Sequence, residues 1–247
     1  MKVLKVAFLM LFFFQMTSCK KPENRSCSKW AGNSISKIIA LPDFQQIEIH
    51  QRLKIELIQD TVSFMEVIAG ENLVNFIDWT IVDGKLEIWN RNKCPFLRYK
   101  KDEILLKIHF KELSMLIYWG SEQLSNKDTI QSNHLDVLMN DGAGDLDLTV
   151  VANSINVANP HGFANISLGG TCDFLRLDID GYGRFDARQM LVSDSISVMY
   201  ASNGISYLTA NQIKLKAELS SAGDIWFYGQ PSVIHKMRYS TGDLIQQ

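Results

Sequence analysis

Gly144-Asp-Leu-Asp-Leu148 and Gly223-Asp-Ile-Trp-Phe227 are two copies of one pattern, a small residue followed by alternating polar and apolar positions. The pattern recurs as Ala164-Asn-Ile-Ser-Leu168, Gly183-Arg-Phe-Asp-Ala187, Gly204-Ile-Ser-Tyr-Leu208 and Gly242-Asp-Leu-Ile245. The anchors therefore fall 20, 19, 21, 19 and 19 residues apart. A second apolar series, Leu135, Ile155, Leu175, Ile196, Leu215 and Ile234, keeps step at 20, 20, 21, 19 and 19. Two series in phase define a repeat of about twenty residues, each unit holding two short strands whose side chains alternate in and out. Leu146/Leu148, Ile166/Leu168, Phe185/Ala187 and Ile225/Phe227 are expected to point inward; Ser206 breaks the series and Leu208 resumes it. One unit cannot bury its apolar face, but stacked units can. The expected fold is all-β, a β-solenoid or parallel β-helix with rungs roughly 4.8 Å apart. Glycine suits the corners because it accepts positive φ and lets adjacent rungs approach. A Greek-key sandwich is the rival, but it demands neither the constant beat nor the repeated corner glycine.

Upstream, the chain is rich in strand patterns without the strict period. Ile47-Glu-Ile, Leu53 to Ile58, Phe64 to Ile68, Leu86 to Trp89 and Ile104 to Phe110 all read as strands. Asp83-Gly84 between two of them is a hairpin signal. A soft boundary near residue 119 separates an N-terminal β region, 36–118, from C-terminal repeats, 119–247, and both halves are compatible with one continuous core.

Residues 1–19 read MKVLKVAFLMLFFFQMTSC. Lys2 and Lys5 precede an apolar run from Val6 to Phe14, and Thr17 and Ser18 precede Cys19. The run is too short for a membrane span and has the layout of a secretory signal. With its cysteine directly after small residues it resembles a bacterial lipoprotein signal. The resemblance implies removal of 1–18, lipid on Cys19 and a tether over 19–35. Met16 stands where such signals prefer Leu. An ordinary cleaved signal is the alternative. The expected location is the cell envelope, at the outer membrane, held there by lipid alone.

Removing residues 1–18 takes Lys+Arg from 25 to 23 against 27 Asp+Glu, a net charge of −4. This leaves no basic footprint for nucleic acid. An oxidising envelope permits disulfides. Cys27 and Cys94 are the expected pair, with Cys172 left over; three reduced thiols are the alternative. No spacing suggests zinc, and no cofactor or catalytic residue is expected. Aspartates crowd the corners (Asp141, Asp145, Asp147, Asp173, Asp178, Asp180, Asp186 and Asp224) and could bind calcium or act as an acid/base pair on polysaccharide. Against this, the calcium-solenoid signature is absent, no companion base or cation recurs with them, and Asp suits turns for structural reasons. The five histidines are scattered singly and read as surface or turn residues. Aromatics of the repeat region carry one binding hypothesis. Trp119, Tyr182, Trp226 and Tyr228, with Tyr200 and Tyr207, could stack sugar rings if they line one face. Core positions and cross-strand ladders are the competing account.

Several stretches carry a family resemblance: Phe44-Gln-Gln-Ile-Glu-Ile49, Ala69-Gly-Glu-Asn-Leu73, Val82-Asp-Gly-Lys-Leu-Glu-Ile88 and Ser221-Ala-Gly-Asp-Ile-Trp-Phe-Tyr-Gly-Gln-Pro231. Together with the recurring corners they resemble the putative auto-transporter adhesin, head GIN domain family over residues 40–245. Ala164 and Ile205 depart from its pattern. The resemblance implies an all-β, solenoid-like fold on lipoproteins and secreted proteins of Bacteroidota. It supplies no catalytic residues. The function expected is non-enzymatic binding or adhesion, with carbohydrate or an envelope protein as partner besides the membrane. The alternatives are a polysaccharide-active enzyme on a parallel β-helix and a structural subunit of an envelope complex.

Overall fold

Side chains that alternate in and out at a fixed period can be buried only if successive turns of chain stack in register. The computed structural model, which describes residues 30–93 and 103–247, shows that arrangement. The described residues are 62% strand, with a β-solenoid of about seven turns in the C-terminal part and a curled sheet before it. The strands run in chain order: β1 Ser34–Ala40, β2 Gln46–His50, β3 Lys54–Gln59, β4 Phe64–Gly70, β5 Ile77–Val82, β6 Lys85–Asn90, β7 Leu105–Phe110, β8 Met115–Trp119, β9 Leu124–Asn126 and β10 Ile130–Gln131. They continue as β11 His134–Met139, β12 Leu146–Asn159, β13 Asn165–Asp180, β14 Arg184–Ala201, β15 Ser206–Thr209, β16 Lys214–Leu219, β17 Ile225–Tyr228, β18 Val233–Arg238 and β19 Leu244–Gln246. Among the described residues no helix is long and apolar enough to cross a membrane.

Three walls make the coil. The first stacks β3, β9, the starts of β12, β13 and β14, then β15, β17 and β19. The third stacks β6, β2, β8, β11, the ends of β12 to β14, then β16 and β18. A short second wall joins β10 to the middles of β12, β13 and β14. Every pairing in these runs is parallel, which excludes the antiparallel Greek-key sandwich. Leu135 faces Ile155, Leu175, Ile196, Leu215 and Ile234 in succession, the second sequence series read directly as register. The spacing of 21 between Leu175 and Ile196 arises where β14 gains residues at two register shifts against β13.

At the N-terminal end, antiparallel strands replace the next rung. β1 and β4 cover β7, and the β5–β6 hairpin turns through Asp83 and Gly84, both with positive φ, as the Asp-Gly signal implies. Strand β2 lies between β6 and β8, so the chain doubles back one rung before it advances. Parallel pairing and one hydrophobic cluster run through residue 119 without a break.

The expected inward positions are buried, from Leu146 to Phe227. Ser206 is also fully buried, and its hydrogen bonds explain why a polar residue holds a core position. The Phe185 N–H donates to its Oγ at 3.0 Å, its hydroxyl donates to the Tyr200 hydroxyl at 2.9 Å, and Tyr200 donates to the Gly204 carbonyl at 2.8 Å. Ile234 departs in the other direction: it is 46% exposed, because β18 pairs only with β16 among the described strands.

One expectation about the corners needs correction. Positive φ does not select the anchor glycines: none of the five is among the positive-φ glycines, which are Gly32, Gly84, Gly170, Gly181 and Gly229. Close approach does. A Cβ on Gly144 would overlap the Glu122 carbonyl oxygen, and one on Gly223 would overlap the carbonyl oxygens of Gly204 and Ser202. Backbone of the preceding rung occupies the space that a side chain would need.

Candidate functional site

Between the second and third walls the chain turns through Ser132, Ala152, Cys172 and Val192, four residues that superpose rung upon rung. Ala152 and Cys172 are buried. Exposed or half-exposed neighbours flank them: Gln131, Val151, Thr171 and Leu191 before the turn, Asn133, Asn153, Asp173 and Ser193 after it. The result is a groove of about 890 Å³ that crosses four rungs. Gln45 and Glu112 sit at its N-terminal end, where the Gln45 side-chain amide donates to the Glu112 carboxylate at 2.9 Å.

The groove mixes polar and apolar surface, and its polar groups brace one another. The Asn153 amide donates to Asn133 Oδ1 at 2.5 Å, and the Ser193 hydroxyl donates to Asp173 Oδ1 at the same distance. The Ser132 hydroxyl is within 2.8 Å of the Leu113 and His134 carbonyls. Cys172, free and buried, lies with its thiol pushed up to about 11, first by burial and then by the Asp173 charge. A thiol held neutral in this way is no nucleophile.

At the groove edge His134 Nδ1 is 2.6 Å from Ser154 Oγ, and its Nε2 is 2.9 Å from Asp136 Oδ2. The three side chains form a Ser–His–Asp row. Register alone accounts for it: His134 faces Ser154 across β11 and β12, just as Asp136 faces Asn156, which donates to it at 2.8 Å. The Ser154 N–H is spent on the Asn133 carbonyl and cannot serve an oxyanion. Among the described residues, no group of three or more His, Cys, Asp or Glu side chains is arranged to hold a metal ion.

The aromatics singled out from sequence fall into three separate groups rather than one row. Trp119 ends β8 on the third wall, where His50 stacks between it and Trp89 at 6.0 and 5.5 Å between ring centres. Its indole N–H donates to Glu48 at 3.1 Å, and Lys85 reaches the same carboxylate at 2.8 Å. Tyr182, exposed at a corner, stacks on Phe163 at 5.0 Å. Trp226 and Tyr228 lie on β17 of the first wall, where Trp226 meets Tyr207 edge to face and the Arg188 guanidinium sits 4.7 Å from the Tyr207 ring centre. Arg188 in turn holds Asp186 below the usual carboxylate range. Tyr200 is inside the core. Of the histidines, His50, His109 and His134 prove to be members of cross-rung contacts rather than isolated surface groups; His109 stacks on Phe64 and bonds Asp60 at 3.0 Å. The residues that sequence reasoning missed are the groove polars Asn133, Asn153 and Ser193, whose only signal was their twenty-residue spacing; Asp173 stood out only as one of the corner aspartates. Cys19, Cys27 and Cys94 lie outside the described residues.

Comparison with known proteins fits this architecture. The profile of the putative auto-transporter adhesin, head GIN domain, matches residues 43–231. The chain belongs to that family. A putative adhesin from Bacteroides fragilis superposes with a TM-score of 0.78 at 18% identity, covering 87% of this chain and 97% of that one. A putative adhesin from Parabacteroides distasonis gives 0.68 at 20%, over 87% and 98%. A protein from the same organism described as a putative lipid binding protein gives 0.59 at 19%, over 87% and 97%. At these identities the likeness speaks for the fold alone. No curated protein matches the chain. The groove-lining residues, Gln45 and those between Glu112 and Ser193, all lie inside the head GIN domain match.

Proposed function

We propose that this head GIN domain protein is a non-enzymatic adhesion protein of the cell envelope, held at the outer membrane by lipid on Cys19. The observation that carries the reading is the groove: a rigid concavity over four rungs, lined mainly by Ser, Thr, Asn, Gln and small apolar side chains. Such groups bind by hydrogen bonding and shape and supply no activated acid, base or nucleophile. Family membership and adhesin-named neighbours of the same fold support an adhesion-like role at the envelope. The N-terminal segment ending at Cys19 supports the anchor.

Two measurements test it together. Metabolic palmitate labelling should mark the wild type and miss Cys19→Ser, and the variant should leave the membrane fraction; continued labelling places the anchor elsewhere. Beads coated with the full chain should adhere to surfaces carrying extracted envelope polysaccharide or envelope protein well above beads coated with an unrelated lipoprotein. Equal adherence sinks the adhesion reading.

A further inference from the structure

We infer that the groove takes a neutral, extended polysaccharide lying along the solenoid axis, with successive sugars meeting successive rungs. This deepens the adhesion reading and rests on it.

The argument starts from periodicity. The four rungs repeat at roughly 4.8 Å, so the groove spans about 15 Å along the axis. Each rung offers one residue before the turn and one after it, in the order Gln131/Asn133, Val151/Asn153, Thr171/Asp173 and Leu191/Ser193. A polymer with a comparable repeat meets hydrogen-bonding and apolar partners at each step. Amides and hydroxyls both donate and accept, which matches ligand hydroxyls of either orientation. Val151 and Leu191 supply apolar contact for sugar C–H faces.

Other occupants fit worse. A peptide strand adds to a sheet through an open edge, but here the strands of β12 and β13 are paired on both sides. Nucleic acid and acidic polysaccharides need cations, and the lining holds Glu112 and Asp173 with no Lys or Arg. An anionic polymer would meet these two carboxylates with His134 as the one titratable basic group of the lining.

The test uses the full chain in detergent, run by affinity electrophoresis through gels containing soluble β-glucan, mannan, polygalacturonate or heparin. At least one neutral polymer should retard the protein and neither acidic polymer should. Asn153→Ala and Thr171→Arg should each weaken that retardation about tenfold, and Asp147→Ala on the first wall should not. Asp173→Lys should begin to bind polygalacturonate. Unchanged circular dichroism and melting temperature establish that the variants fold. Binding to acidic polymers alone, neutral binding indifferent to both groove variants, or no binding to any polymer would overturn the assignment. If the coated beads still adhere while every polymer fails, the groove assignment falls and the adhesion reading stands.

Discussion

Gly144 and Gly84 do different work with the same residue. A Cβ at Gly144 would enter the Glu122 carbonyl of the neighbouring rung, so substitution must push two rungs apart. Gly84 has φ of +73° in a hairpin turn with nothing within 4 Å of the added carbon. Gly144→Ala should therefore cost about 3 kcal/mol or more, as overpacking does, and Gly84→Ala only the left-handed strain of about 1–2 kcal/mol. Urea denaturation of the two variants checks this; equal losses would mean that the rungs yield to the added methyl and that close approach does not select the corner glycine. Ala164, fully buried at the equivalent corner of the next rung, shows that the close approach met at Gly144 is not repeated at every rung. Ser206 shows what a polar residue needs in order to sit in the core: its chain of hydrogen bonds through Tyr200 to Gly204 leaves no orphan donor.

Among elements, β2, β6 and β8 form a ladder braced by several side-chain contacts. Glu48 on β2 receives Lys85 from β6 and Trp119 from β8 and lies 3.3 Å from His50. Burial raises its pKa, but the Lys85 and Trp119 hydrogen bonds and the nearby charges outweigh that, and the net shift is downward. A carboxylate depressed in the folded state stabilises the fold above its unfolded pKa and loses that contribution as pH falls through the folded value. The melting temperature of Glu48→Gln should thus lie below wild type at pH 7, and the gap should close as pH drops below 4.5. A gap that stays constant down to pH 3 would show that the carboxylate charge is not what binds the three strands. The Asp-Gly turn of the β5–β6 hairpin was readable from sequence, but the ladder was not. Residues 48, 85 and 119 meet only because β2 lies between β6 and β8, an order the chain's own sequence does not follow.

For the whole molecule, each central rung is paired on both sides, while β18 pairs only with β16 among the described strands and is largely exposed. In a stacked architecture stability is a sum of rung and interface terms, so protection should fall toward that end. Native-state hydrogen exchange should find β12 to β14 the slowest segments and β18 among the fastest. Uniform protection from β12 to β18 would indicate a single cooperative unit instead.

The twenty-residue beat, the inward apolar series and the corner anchors were legible in the sequence because each obeys a local rule: side chains alternate along a strand, and one buried face repeats with the rung. Periodicity alone sets Leu135, Ile155 and Leu175 opposite one another, as the register has them. Only the tertiary structure decided that β2 slips between β6 and β8, and that polar positions twenty residues apart line one groove. Those features depend on which way the chain turns between strands and on which outward residues face each other across a corner. A pattern of alternation records whether a side chain points in or out, and carries no term for the shape of the outer surface it helps to build.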